Sequence, residues 1–83
     1  MNILAVDPGR DKCGLAVTNE NGVLLWRSVS PRGKILHSIE NLVTQWQITQ
    51  FVVGDSTASD EISGEISARY PETSLQIVDE TGS

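Results

Sequence analysis

The sequence predicts an α/β fold: a mixed five-stranded sheet carrying two helices. Three observations point there. Apolar runs of strand length recur along the chain, and an Asn-Gly pair between two of them has hairpin chemistry. A later segment spaces its apolar residues as one face of a helix.

The elements follow in order. Asn2 to Asp7 (NILAVD) is a continuous apolar run ending on an acid, which predicts a strand buried on both faces and central in its sheet. Pro8-Gly9 breaks it. Cys13 to Thr18 is the second strand, Asn19-Glu20-Asn21-Gly22 the turn, and Val23 to Val29 the third strand, antiparallel to the second. Alternation sets Val23, Leu25, Arg27 and Val29 on one face and Leu24, Trp26 and Ser28 on the other. After Ser30-Pro31-Arg32-Gly33, the residues Ile35, Leu36, Ile39, Leu42, Val43 and Trp46 fall on one helical stripe, predicting a helix over about 33–46. His37 and Glu40 lie off that stripe, and His37 reads as a solvated helix residue. Gln50 to Gly54 is a fourth strand, followed by Asp55-Ser56-Thr57. Ser59-Asp60-Glu61 has the form of a helix start, with Ser59 as a cap and acids in the first turn, and Ile62, Ile66 and Tyr70 give a thin apolar stripe over 59–69. Gly64 weakens that helix and Tyr70-Pro71 ends it. Leu75 to Val78 is the fifth strand, with Asp79-Glu80 at its tip.

Composition narrows the function. At 83 residues one domain is the limit, here read as residues 1–83 and as cut after its fifth strand. No apolar run approaches the roughly 20 residues of a membrane helix, and Met1 leads into a strand without a signal-peptide pattern. The single cysteine, Cys13, has no disulfide partner and reads as a small strand residue, so a cytoplasmic, reducing setting is expected. The net charge of −5 is uneven: residues 1–46 hold five of the six basic residues and four acids, and the remainder holds one basic residue and seven acids. Such a balance argues against a simple electrostatic nucleic-acid binder and does not exclude a metal-dependent nuclease, whose site is itself acidic; a solvated, solubilising surface accounts for most of these charges in either case.

Placing the fourth and fifth strands beside the first and parallel to it gives the order 3-2-1-4-5. Asp7, Asp55 and the pair Asp79-Glu80 then end neighbouring parallel strands at one carboxyl edge, where open α/β sheets bind ligands. Acids gathered there can share a divalent cation, and oxygen ligands favour Mg²⁺ or Mn²⁺. Asp also follows strands simply because it makes turns and caps.

The stretch ILAVDPGRDKCGLAV, from Ile3 to Val17, resembles the opening strand, turn and second strand of the YqgF-type family. FVVGDST and IVDETGS resemble that family's fourth-strand tip and the start of its fifth-strand motif. The family comprises Holliday-junction-resolvase-like proteins, also described as pre-16S rRNA processing nucleases, with an RNase H-like fold. The resemblance implies a Mg²⁺- or Mn²⁺-dependent nuclease acting on structured RNA or DNA. It makes Asp7 and Asp79 metal-holding catalytic acids, with Glu80 beside Asp79 as a further catalytic candidate; Asp55 is not the family's usual residue after the glycine, and its candidacy as an assisting catalytic acid comes from its place at the strand tip. Gly9 and Gly14 match glycines of the opening motif, and Gly9, Arg10 and Lys12 lie where a phosphate would dock.

Two departures stand out. Thr81 replaces the Arg of many members, and the chain ends at Gly82-Ser83, before the helix that bears the family's last acid. Without that helix an apolar sheet face is expected to be exposed and covered by a second copy, giving a homodimer. Two other functions remain open: a noncatalytic interaction domain on the same fold, and a phosphate-binding fragment of an actin-like or sugar-kinase fold, which also opens with Asp-x-Gly.

Overall fold

The computed structural model describes residues 1–56 and 58–79. Its elements are β1 (Asn2–Asp7), β2 (Lys12–Asn19), β3 (Leu24–Pro31), α1 (Ile35–Trp46), β4 (Ile48–Gly54), α2 (Ser59–Arg69) and β5 (Ser74–Val78). The strands form one sheet in the order β3-β2-β1-β4-β5, as the sequence predicts. The first three make an antiparallel meander, while β4 and β5 run parallel to β1.

The β2–β3 hairpin closes on its Asn residues and Gly22. The Asn19 side-chain oxygen accepts from the N–H groups of Asn21 and Val23, and Gly22 takes φ 81°, which a side chain would resist. Beyond the turn the register shifts: Val17 pairs with Trp26 but Thr18 pairs with Leu24. This bulge moves Leu24 to the face of Arg27 and Val29, where simple alternation had set it with Trp26.

Helix α1 starts at Ile35 after a 3-10 turn over Arg32–Lys34, so the expected helix over about 33–46 has a tighter first turn. Its end is held from β1, where the Asn2 amide donates to the Trp46 carbonyl, one of those a helix terminus leaves unpaired. Ser59 does not cap α2: it is the first helical residue and is buried, and Ala58 stands at the cap with no side-chain bond. The acids Asp60 and Glu61 do occupy the first turn.

Both helices pack on one face of the sheet. Ile35, Ile39 and Leu42 of α1 and Ile62 and Ile66 of α2 join Leu4, Val6, Leu15, Val17, Phe51 and Val53 in one buried core. Arg32 pairs with Glu61 and Glu65 at 2.8 and 3.4 Å, tying the β3–α1 connection to α2, and Arg69 pairs with Glu40 at 2.7 Å between the helices. No described residue covers the opposite face. This corrects the expectation for β1: it is central in the sheet, yet only Leu4 and Val6 are buried, while Ile3 and Ala5 on the other face are half-buried.

Candidate active site

The acid that ends β1 sits where the sheet turns its bare face to solvent. Asp7 pairs with Gly14 across β2 and shares the face of Ile3 and Ala5. Glycine at position 14 makes room for it: a Cβ there would lie 3.4 Å from the Asp7 Cβ and 4.0 Å from its Oδ2. The carboxylate is exposed and makes no hydrogen bond or ion pair among the described residues. It opens into a groove of about 670 Å³ running over the helix-free face, whose lining includes Ala5, Ala16, Val29, Val52 and Val78. Among the described residues Asp7 is the single acid in that lining and Arg27 the single base. Sequence reasoning gave Arg27 no role; its signal was the lone charge on an otherwise uncharged strand.

The other acids share the edge but not the groove lining. Val6 pairs with Val53 and Gly54 with Val78, so the ends of β1, β4 and β5 are level. Asp55 and Asp79 each follow a paired residue, and the Asp55 N–H donates to the Val78 carbonyl at 2.7 Å. Both side chains are exposed. With strands about 4.8 Å apart, β4 sets the backbones at Asp7 and Asp79 roughly 10 Å apart. Gly54, with no side chain, follows the Val53 that pairs with Val6 and is itself paired with Val78, one residue before Asp79. Glu80 and Thr81 lie outside the described residues. No group of three or more His, Cys, Asp or Glu that could hold a metal ion is found among the described residues.

The loop from Pro8 to Asp11 is tightly closed. A Cβ at Gly9 would stand 2.2 Å from the Lys12 carbonyl oxygen, so close backbone approach accounts for this glycine without any ligand. The Ser56 hydroxyl donates to the Pro8 carbonyl at 3.1 Å, the Arg32 N–H donates to the Asp11 carbonyl at 2.8 Å, and the Cys13 thiol faces the Gly9 carbonyl at 3.9 Å. Cys13 is thus a buried strand residue, as expected. Gly9 and Arg10 line a cleft of about 110 Å³ with Ser56 and Ala58, just before α2. Lys12 is exposed at the start of β2 and does not line that cleft. Neither Arg10 nor Lys12 is ion-paired among the described residues. Ser56 escaped sequence reasoning because a serine after a strand reads as ordinary turn chemistry.

The family model RuvX, described as Holliday junction resolvase, matches residues 1–82. No curated protein is matched significantly in sequence. Among solved structures, RuvC of Thermus thermophilus superposes with a TM-score of 0.68 at 18% identity, over 95% of this chain and 62% of its own. A Bacteroides thetaiotaomicron protein with an actin-like ATPase fold and unknown function gives 0.70 at 10% identity, over 93% of this chain and 32% of its own. Pelota of Archaeoglobus fulgidus gives 0.66 at 15% identity, over 94% and 26%. The chain therefore spans less than two thirds of each of these proteins, and at such identities the likeness is one of fold. The fold is the RNase H-like α/β arrangement, with its mixed sheet in the order 3-2-1-4-5.

Proposed function

We propose a function for this chain from one premise: it belongs to the RuvX Holliday junction resolvase family. On our reading it is a resolvase-like nuclease domain that hydrolyses phosphodiester bonds in structured RNA or DNA, in the cytoplasm, with Mg²⁺ or Mn²⁺. Beyond the family match over residues 1–82, the observation that supports this is the placing of Asp7, exposed at the carboxyl edge of a central strand and opening into a groove.

The donors suit a hard cation. Magnesium is commonly held by one or two carboxylates, with water and phosphate oxygens completing its octahedron. Asp7 and Asp79 would hold the ion, assisted by Asp55 and Glu80. When bound, the ion would polarise phosphate and lower the pKa of water. Arg10 and Lys12 would position phosphate from the neighbouring loop, and Gly9 would keep that loop tight. We read residues 1–83 as one domain that self-associates, a second copy covering the apolar helix-free face.

Cleavage of a four-way DNA junction or of structured RNA in Mn²⁺ tests the reading. Activity is expected for the native sequence and its loss for Asp7→Asn, with the melting curve unchanged. Equal cleavage by both proteins would remove Asp7 from the site. A noncatalytic interaction domain is the second reading, favoured by the lack of a three-ligand cluster among the described residues. It predicts nucleic-acid binding without Mn²⁺-dependent cleavage. The fold shared with an actin-like ATPase-fold protein gives a third, phosphate-binding reading, for which ATP rather than nucleic acid would protect the chain from proteolysis.

A further inference from the structure

A second groove lies away from Asp7, on the helix-bearing side of the sheet between edge strand β3 and α1. It measures about 440 Å³, and its lining includes Trp26, Ser38, Leu42, Asn41 and Gln45. Trp26 is 45% exposed although it is among the largest side chains and pairs with buried Val17. The fold therefore presents an indole at the sheet edge instead of burying it. Leu42 is buried and gives the groove an apolar lining residue. The amides of Asn41 and Gln45, four residues apart and so on one side of α1, make no hydrogen bond among the described residues.

Charge favours an anionic partner here. No acid lines this groove among the described residues. Lys34, at the N-terminal end of α1, continues the row of Ser38, Asn41 and Gln45 along that helix and carries no ion pair among the described residues. Of the basic residues of β3 and α1's approach, Arg27 lines the groove of the helix-free face and Arg32 is paired with Glu61 and Glu65, which leaves Lys34 to supply the positive charge beside this groove. The acid-rich part of the chain, α2 and the end of β5, is at the other edge of the sheet.

We infer that this groove binds an unpaired nucleobase, stacked on the Trp26 indole, with its edge hydrogen-bonded by the Asn41 and Gln45 amides and the flanking phosphate near Lys34. Aromatic faces accept any base, and amides offer both a donor and an acceptor to a base edge. An unpaired base can reach such a groove where a base inside a duplex cannot. The inference rests on the nucleic-acid reading above but needs neither Asp7 nor a metal.

Fluorescence of Trp26 tests it. In a Trp46→Phe background Trp26 is the one indole left, and that change removes a buried Nε1 with no partner among the described residues. Titration with a twelve-nucleotide oligo-dT in EDTA is expected to quench Trp26 to saturation. By a filter-binding assay, Trp26→Leu should weaken binding about tenfold, within the range for one stacked base, and Asn41→Ala with Gln45→Ala should weaken it several-fold. Three results would overturn the inference: oligo-dT binding without quenching, quenching as strong by blunt duplex, or a Trp26 spectrum that changes with protein concentration alone, which would mean that a second copy covers the indole. A protein that binds duplex junctions in Mn²⁺ but gives any of these results loses the base site and keeps the nuclease reading.

Discussion

Individual residues in this chain answer to different pressures, and two glycine-related positions separate them. Gly9 lies in the motif that resembles a phosphate loop, yet the Lys12 carbonyl oxygen, 2.2 Å from where a Cβ would be, already requires glycine there. Gly9→Ala should therefore destabilise the fold by about 1–3 kcal/mol, as overpacking does, whether or not phosphate is present; urea denaturation of the two proteins measures it. Gln47 is the converse case. It ends α1 at φ 50°, a left-handed conformation that glycine adopts freely. Gln47→Gly should raise stability by about 0.5–1 kcal/mol, seen as a higher urea midpoint with the same slope. Asp7 differs from both, since no hydrogen bond or ion pair engages its carboxylate among the described residues, so its replacement by Asn should cost function and not stability.

At the scale of elements, α1 and α2 were unequally legible. The apolar stripe of α1 is broad and its Ile35, Ile39 and Leu42 are buried as the spacing requires. The stripe of α2 is thin, and what holds this helix is tertiary: Ile62 and Ile66 are fully buried, and Arg32 reaches it from outside. Gly64 faces open space within it, so Gly64→Ala should stabilise by about 0.5–1 kcal/mol, whereas Ile66→Ala should cost about 2–5 kcal/mol. Thermal melts of both variants decide this, and a neutral Ile66→Ala would contradict the packing described. The capping role expected of Ser59 failed because the helix begins on Ser59 itself, which is buried, and a local pattern carries no information about burial. The bulge at Val17/Thr18 was equally invisible, since the alternating pattern of β3 reads the same with or without an extra residue.

For the molecule as a whole, strand order was legible because it follows from few rules. A hairpin sign set β2 against β3, and placing β4 and β5, each after a helical crossover, beside β1 and parallel to it completed the order that the sheet has. The meeting of strand tips at one edge came with that order. Sequence could not show which acids turn toward the bare face, because that depends on pleat and register: Asp7 does, opposite Gly14, while Asp55 and Asp79 follow the last paired residues. The bare face itself carries the expectation of self-association. Val52 and Val29 line its groove, so sedimentation equilibrium is expected to show dimers that Val52→Lys dissociates. Monomers at every concentration would reject that surface as an interface.

The central claim is that the carboxyl edge at Asp7 is a divalent-cation site. Isothermal titration with Mn²⁺ measures it without reference to any nucleic acid. The native sequence should bind Mn²⁺ with one dominant site, and Asp7→Asn should weaken that site at least about tenfold, the loss expected when one charged oxygen ligand is replaced by an amide. Equal affinity in the two proteins would contradict the account.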